Sequence, residues 1–283
     1  MATAGAFARD IKLAHSVFAL PFALAAAWLV SRDVEVGWQQ WLWIVVAMVG
    51  ARSSAMGFNR IVDRRIDAEN PRTRDREIPA GRLSLVAAWG WTLAFTALFI
   101  VAAAMLHPLC LKLSPVALAV IWGYSLTKRW TALCHVVLGI GLGLAPVAVW
   151  IALTGTVQPA ALLLGGAVAS WVAGFDVLYS LQDRDFDASR GLHSIPVALG
   201  ERGALWVSGL LHLLTVGLLG ALPWTVPLSW PYTLGWGLIT AVLVYEHAIV
   251  RPGDLSRLDR AFFAANGWIS VGFLVAVVAA TLG

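Results

Sequence analysis

Apolar runs long enough to cross a lipid bilayer recur along almost the whole of this chain, and few folds can accommodate them. About 20 apolar residues span the hydrocarbon. Such stretches lie at about 13–31, 41–66, 84–106, 109–127, 132–153, 159–184, 203–222, 231–250 and 260–281. The expected fold is an all-α membrane protein of about nine transmembrane helices, built as a single polytopic domain over residues 1–283. Composition supports this. Only 13% of residues are charged, about half the roughly 25% typical of soluble domains. The first run, Leu13–Val30, follows Arg9 and Lys12 as a signal peptide would, but it is long enough to span, so a retained first helix is expected.

The breaks between spans sort the charges. With the amino terminus inside, one side receives Arg9, Lys12, Arg60, Arg64, Arg65, the arginines of 72–82, Lys128, Arg129 and the later arginines, whereas the other receives only Arg32 and Lys112. That bias marks the basic side as cytoplasmic. Trp38, Trp41, Trp43, Trp224, Trp230 and Trp236 gather at the opposite ends, as an interfacial belt would. Cys110 and Cys134 fall at helix ends on opposite sides, so no disulfide is expected between them.

Both concentrations of acid lie on the basic side. Asn59, Asp63 and Asp67 are spaced i, i+4, i+8 at the end of the second span, which stacks three oxygen-bearing side chains on one helix face. Asp176, Tyr179, Asp183 and Asp187 close the sixth span in the same manner. A solvated helix end balanced by nearby arginines accounts for Glu69, Asp75, Glu77 and Asp185. It explains neither the repeated interval nor its second copy. Hard oxygen ligands on two helices are what Mg²⁺ uses when it also holds a phosphate, so Asn59, Asp63, Asp67, Asp183 and Asp187 are candidate ligands for Mg²⁺ and a diphosphate. A weak internal echo adds to this: Ile78-Pro79-Ala-Gly81 follows the first ladder, and Ile195-Pro196 with Gly200 follows the second.

Basic residues complete an anion site. Arg72 and Arg76 can fork onto phosphate oxygens, and Lys128 can add a point charge. Tyr124 and Lys128, four apart, are expected on one helix face. Arg52 lies seven positions before Asn59 inside an apolar helix, with no acid three or four residues away. An isolated intramembrane arginine marks a site for an acidic ligand or a buried partner. It is assigned here to the carboxylate of an aromatic acid, the other reading being a pair with Glu246. The six histidines show no metal-ligand spacing and are read as packing or helix-end residues.

Together these motifs resemble those of the UbiA superfamily of intramembrane aromatic prenyltransferases. They are Asn59-x3-Asp63-x3-Asp67, the Arg72…Arg76…Pro79-x-Gly81 tail, Tyr124-x3-Lys128 and Asp176…Asp183-x3-Asp187. The likeness runs from Lys12-Leu-Ala-His-Ser-Val-Phe-Ala-Leu-Pro21 to about Gly200, and it is greatest toward the 4-hydroxybenzoate polyprenyltransferase-like branch, including members of the futalosine route to menaquinone. One departure is Arg60, where many relatives carry Asp.

The resemblance implies helices around a central cavity, and a reaction. The polyprenyl group of a polyprenyl diphosphate passes to a ring carbon of an aromatic hydroxy acid, 4-hydroxybenzoate or 1,4-dihydroxy-6-naphthoate, in ubiquinone or menaquinone biosynthesis. Mg²⁺ is the implied cofactor. Tyr124 and Tyr179 would face the allylic cation, and Asp176 would act as base or orienting group for the phenol. The implied setting is a bacterial inner membrane, with the site toward the cytoplasm, the lipid bilayer as partner and no nucleic acid. The alternative is a transporter or ion-conducting protein, since intramembrane acids also mark ion paths. Transporter sites usually lie near the midplane on broken helices, whereas these acids gather at one face beside a basic loop.

Overall fold

The computed structural model describes residues 2–11, 19–255, 258 and 265–282. The described residues are helical, apart from turns and one isolated bridge, and form two compact units. The first unit comprises residues 1–16 and 37–126, the second residues 17–36 and 127–283.

The first unit is built on α3, Trp38–Glu69, with α1, Ala2–Asp10, α4, Leu85–Leu106, and α5, Pro108–Thr127, whose last residue belongs to the other unit. At 1.5 Å per residue, the 32 residues of α3 run about 48 Å, well past the roughly 30 Å hydrocarbon core, so its last turns emerge from the bilayer. Small residues let α4 approach closely. A methyl group on Gly50 would meet the backbone of Phe95 and Phe99 at 3.0–3.2 Å, and one on Gly57 would collide with Thr92 and Phe7. Hydroxyls tie the pair, with Ser54 Oγ 2.6 Å from Thr96 Oγ1 and accepting from Trp122 Nε1 at 2.9 Å. Asn70 ends α3 in an extended conformation before Pro71, which disfavours a helical predecessor. The following loop turns back into α4 through Gly81, whose φ of +72° is open to glycine at little cost.

The second unit contains α2, Leu20–Val30; α6, Cys134–Thr154; α7, Pro159–Tyr179; a 3₁₀ turn, Ser180–Asp183; and α8, Arg184–Ser189. It continues with α9, Ile195–Ala221, α10, Trp230–Ile249, and α11, Asn266–Thr281. Its centre is α7, packed between α6 and α9 and nearly enclosed. Gly139 and Gly143 on α6 face Gly165, Ala169 and Ala173 on α7. Small residues at four-residue spacing are how membrane helices gain van der Waals contact where lipid offers no hydrophobic incentive to associate. Several buried polar groups are paired across helices: Trp171 Nε1 donates to Asn266 Oδ1 at 2.9 Å, Trp28 Nε1 to Thr281 Oγ1 at 2.7 Å, and Ser208 Oγ to the Gly174 carbonyl at 2.8 Å. His212 Nδ1 lies 2.9 Å from His247 Nε2 and 3.8 Å from Glu246 Oε2, so Glu246 has neighbours within its own unit.

Among the described residues, six helical segments are long and apolar enough to cross a membrane, not the nine expected. They are Trp38–Glu69, Leu85–Leu106, Pro108–Thr127, Cys134–Thr154, Pro159–Ser189 and Ile195–Trp224. Leu20–Val30 and Asn266–Thr281 are shorter apolar helices. The difference lies in how the outer three are composed. Residues 13–18 of the expected first span, with Lys12 before it, and the start of the last fall outside the described residues. α10 is long enough at 20 residues but carries Glu246, His247 and Tyr245, which lower its average. Among the described residues neither Cys110 nor Cys134 is joined in a disulfide.

Replacing Gly143 by isoleucine should force α6 off α7. The expected loss is about 1–3 kcal/mol, the usual range for overpacking. It would be read as a lower melting temperature of the purified protein in detergent, and an unchanged melt would count against the glycine contact.

Candidate active site

The continuous helix α3 places Arg52, Asn59, Asp63 and Asp67 on one face, as the spacing predicts. Asp63 and Asp67 are buried. Arg60, also buried, organises the upper part of the ladder. Its Nε donates to the Asp10 carbonyl at 3.0 Å and its Nη1 to Asn59 Oδ1 at 2.9 Å. A guanidinium can only donate, so the Asn59 oxygen must face Arg60. The amide nitrogen then donates to Asp63 Oδ2 at 3.2 Å. Asn59 therefore presents a donor to Asp63, not a third oxygen beside it. Arg60 is thus the fixed point of a chain that ends on an acid of the ladder. One turn on, Arg76 Nη1 lies 2.7 Å from both oxygens of Asp67, and Thr73 Oγ1 donates to the Asp67 carbonyl at 3.1 Å. Arg72 follows Asn70 in an Asx turn and is exposed.

Arg52, half-buried, donates from Nη1 to the Ile11 carbonyl at 3.3 Å. Tyr124, on the last turn of α5, reaches Met56 Sδ at 3.8 Å. Lys128 lies one residue beyond the end of α5, in a turn. The Lys128 carbonyl instead accepts from His193 N–H at 2.7 Å, which pins the loop before α9.

The second acidic set is not a continuous ladder either. α7 ends at Tyr179, where Ser180 Oγ bonds back to the Val177 carbonyl at 2.9 Å. Side chains of this kind compete with the helical hydrogen bonds, and the chain tightens into the 3₁₀ turn that ends at Asp183. Asp187 then sits on the short α8. Asp176 stays on α7, seven residues before Asp183, and has a partner that no sequence pattern disclosed. His135 Nδ1 on α6 is 2.7 Å from Asp176 Oδ2, and the first amide of α9, Ile195 N–H, lies 3.4 Å from His135 Nε2. His135 and Asp176 are 41 residues apart on separate helices, so nothing short of the fold could have joined them.

Carboxylates fit Mg²⁺ by the chemistry of the donor. Among the described residues no three His, Cys, Asp or Glu side chains form a preformed metal cage. Mg²⁺ is commonly held by one or two carboxylates together with substrate phosphates, not by an all-protein cage. Buried Asp63 and Asp67 suit that arrangement.

The sequence profile of the UbiA prenyltransferase family matches residues 19–277, through both units. The chain belongs to that family. Among its relatives, the 4-hydroxybenzoate octaprenyltransferase of Methylobacillus flagellatus is 28% identical over 86% of this chain and 82% of its own length. A solved UbiA homolog from Aeropyrum pernix K1 is 34% identical and superposes with a TM-score of 0.86, covering 94% of this chain and 98% of that one. A UbiA homolog from Archaeoglobus fulgidus, solved with DMAPP and Mg²⁺, is 19% identical with a TM-score of 0.71, over 96% and 99% of the two chains, and shares the fold. The UbiA fold and the apolar helices make this chain an integral membrane protein.

In this UbiA member the loop after α3 also anchors α1. Glu77 accepts from Arg9 Nε at 3.1 Å and Arg82 Nε at 2.8 Å, and its backbone N–H donates to Asp10 Oδ1 at 3.0 Å. The Arg82 and Arg9 guanidinium groups hold the Glu77 carboxyl below its ordinary 4.5. Both arginines are largely exposed, so each pair contributes less than about 1 kcal/mol. Burial pushes the Asp10 carboxyl up from 3.8, against the opposing Arg60 charge. The two act in opposite senses. Glu77 contributes stability that is present above pH 4.5 and lost as pH falls through its lowered value, whereas the Asp10 contribution declines as pH rises above 3.8. Glu77→Gln should raise hydrogen exchange of the α1 amides at about pH 7 and make little difference well below about pH 4. Equal protection in the two proteins at neutral pH would remove Glu77 as the anchor.

Proposed function

We propose that this chain transfers a polyprenyl group from a polyprenyl diphosphate to a ring carbon of an aromatic hydroxy acid, in the presence of Mg²⁺, as a step of quinone biosynthesis at the cytoplasmic face of a bacterial inner membrane. The observation that carries the reading is α3, which holds Arg52 within the apolar part of the helix and Asp63 and Asp67 buried at its emerging end. Likeness to the 4-hydroxybenzoate octaprenyltransferase of Methylobacillus flagellatus favours 4-hydroxybenzoate over 1,4-dihydroxy-6-naphthoate as acceptor. The Mg²⁺ and DMAPP bound to the Archaeoglobus fulgidus homolog favour a metal-assisted diphosphate. Family membership leaves the transport reading with no feature that it alone explains.

Mg²⁺, when bound, would neutralise charge that builds on the diphosphate as the allylic C–O bond breaks. Asp63 and Asp67 are its proposed ligands on α3, steadied by Asn59, and Asp183 and Asp187 are those on the second acidic segment. Arg72, Arg76 and Lys128 bind the departing diphosphate oxygens. Tyr124 and Tyr179 shield the allylic cation with their π faces. Arg52 takes the carboxylate of the acceptor. Asp176 Oδ1, left over after His135 engages Oδ2, accepts the phenol hydrogen bond and draws electron density toward the ring. Diphosphate departs as the allylic C–O bond breaks, the ring carbon forms a C–C bond to the cation, and the proton lost from that carbon passes to water.

Purified protein incubated with Mg²⁺, geranyl diphosphate and 4-hydroxybenzoate should yield the C-prenylated acid by mass, and none once the metal is chelated. Asp63→Ala or Asp183→Ala should reduce turnover at least about 100-fold, the order lost when a charge-stabilising group is removed. Arg52→Ala should raise the KM for 4-hydroxybenzoate and spare that for the diphosphate; an unchanged acceptor KM would refute its role. Absence of any prenylated acid with either acceptor would overturn the reading as a whole.

A further inference from the structure

We propose that His135 is the positioning residue that fixes the Asp176 carboxylate for the acceptor phenol, and that the first amide of α9 in turn fixes His135. The inference rests on the assignment of Asp176 to the phenol given above, and it concerns what holds that carboxylate in place.

Ile195 N–H opens α9 and is one of the amides that a helix leaves without an internal partner. It lies 3.4 Å from His135 Nε2. A backbone amide only donates, so Nε2 is the acceptor, and the ring carries its proton on Nδ1. That proton points at Asp176 Oδ2, 2.7 Å away. The order is therefore directional: α9 amide to imidazole to carboxylate, across three helices that pack on one another. Each link selects the next, because the other tautomer would set two donors against each other at Nε2 and leave Asp176 facing a lone pair.

Exposure follows the same order. The His135 side chain is 4% exposed and that of Asp176 28%. The ring lies behind the carboxylate, and the carboxylate is the member open to a ligand. The choice of histidine has a physical reason. An arginine or lysine at position 135 would orient Asp176 equally well but would cancel its charge, and with it much of its pull on a phenol. With Nε2 accepting from the Ile195 amide, the imidazole offers the carboxylate one fixed N–H donor. Within an apolar bundle an ionised acid without such a donor would be costly to keep. A histidine serving only to fill space would need neither the carboxylate nor the amide.

Three substitutions separate these roles in full-length protein, assayed with Mg²⁺, geranyl diphosphate and 4-hydroxybenzoate. His135→Asn keeps an N–H close to the Nδ1 position. His135→Gln moves its amide toward the Nε2 position and away from Asp176, and His135→Phe keeps the ring without a donor. The Phe and Gln proteins should lose about 10- to 100-fold in kcat, the range for removing a hydrogen bond to a charged group. Their KM for geranyl diphosphate should be unchanged, and His135→Asn should recover most of the loss. In an Asp176→Asn background, His135→Gln should cost less than about twofold more, since its effect passes through the carboxylate. Should the Phe protein fail to fold, the contrast between Asn and Gln decides. Equal turnover of the Asn and Gln proteins, or a His135→Gln loss undiminished in the Asp176→Asn background, would overturn the proposal. An Asp176→Asn protein with full kcat would instead strike the assignment of Asp176 itself.

Discussion

Hydrocarbon offers a polar group nothing to bond with, and that constraint governs both units. A polar side chain placed in a span gains from a partner within the protein, and several buried hydroxyls, indoles and imidazoles find one on another helix: Ser54 with Thr96, Trp171 with Asn266, His135 with Asp176. Glycine and alanine make such pairs reachable. With side chains at positions 139 and 143, α6 would stand away from α7. His135 would then be drawn back from Asp176. Packing and polar chemistry are one requirement here, because short hydrogen bonds between helices need backbones that approach closely.

The same constraint explains where charge accumulates. The acids of α3 occupy its emerging end, and the arginines that pair with them come from that end or the loop beyond it. Arg60 is the instructive case. It stands among acids, yet it donates to a backbone carbonyl and an amide oxygen, so it orients Asn59 and through it Asp63 while leaving the carboxylate its charge. Arg76 does the reverse and sits directly across Asp67. One helix end thus offers one acid oriented through an amide and one already engaged by a cation. Two adjacent ladder positions are not chemically equivalent, although their spacing makes them look so.

Much of the site was legible because its signals are local. The four-residue interval of Asn59, Asp63 and Asp67 survives on an unbroken helix. Regularity was over-read at the second set, where Ser180 turns its hydroxyl on the backbone and splits the run into α7, a 3₁₀ turn and α8. Six of the expected spans are long and apolar enough among the described residues; in α10 polar residues such as Glu246 and His247 dilute a sufficient length, and parts of the first and last spans lie outside those residues.

The sequence by itself determined the medium, the helical class, the family and the acids at issue, because hydrophobic length and short-range spacing are written along the chain and need no partner to be read. Only the tertiary structure decided which groups those acids meet. Arg60 on the Asp10 carbonyl, Arg76 on Asp67 and His135 between Ile195 and Asp176 depend on the close approach of separate segments, and on directional bonds a few ångströms long. Distances of that size are set by how helices pack, and no spacing along a single helix encodes them.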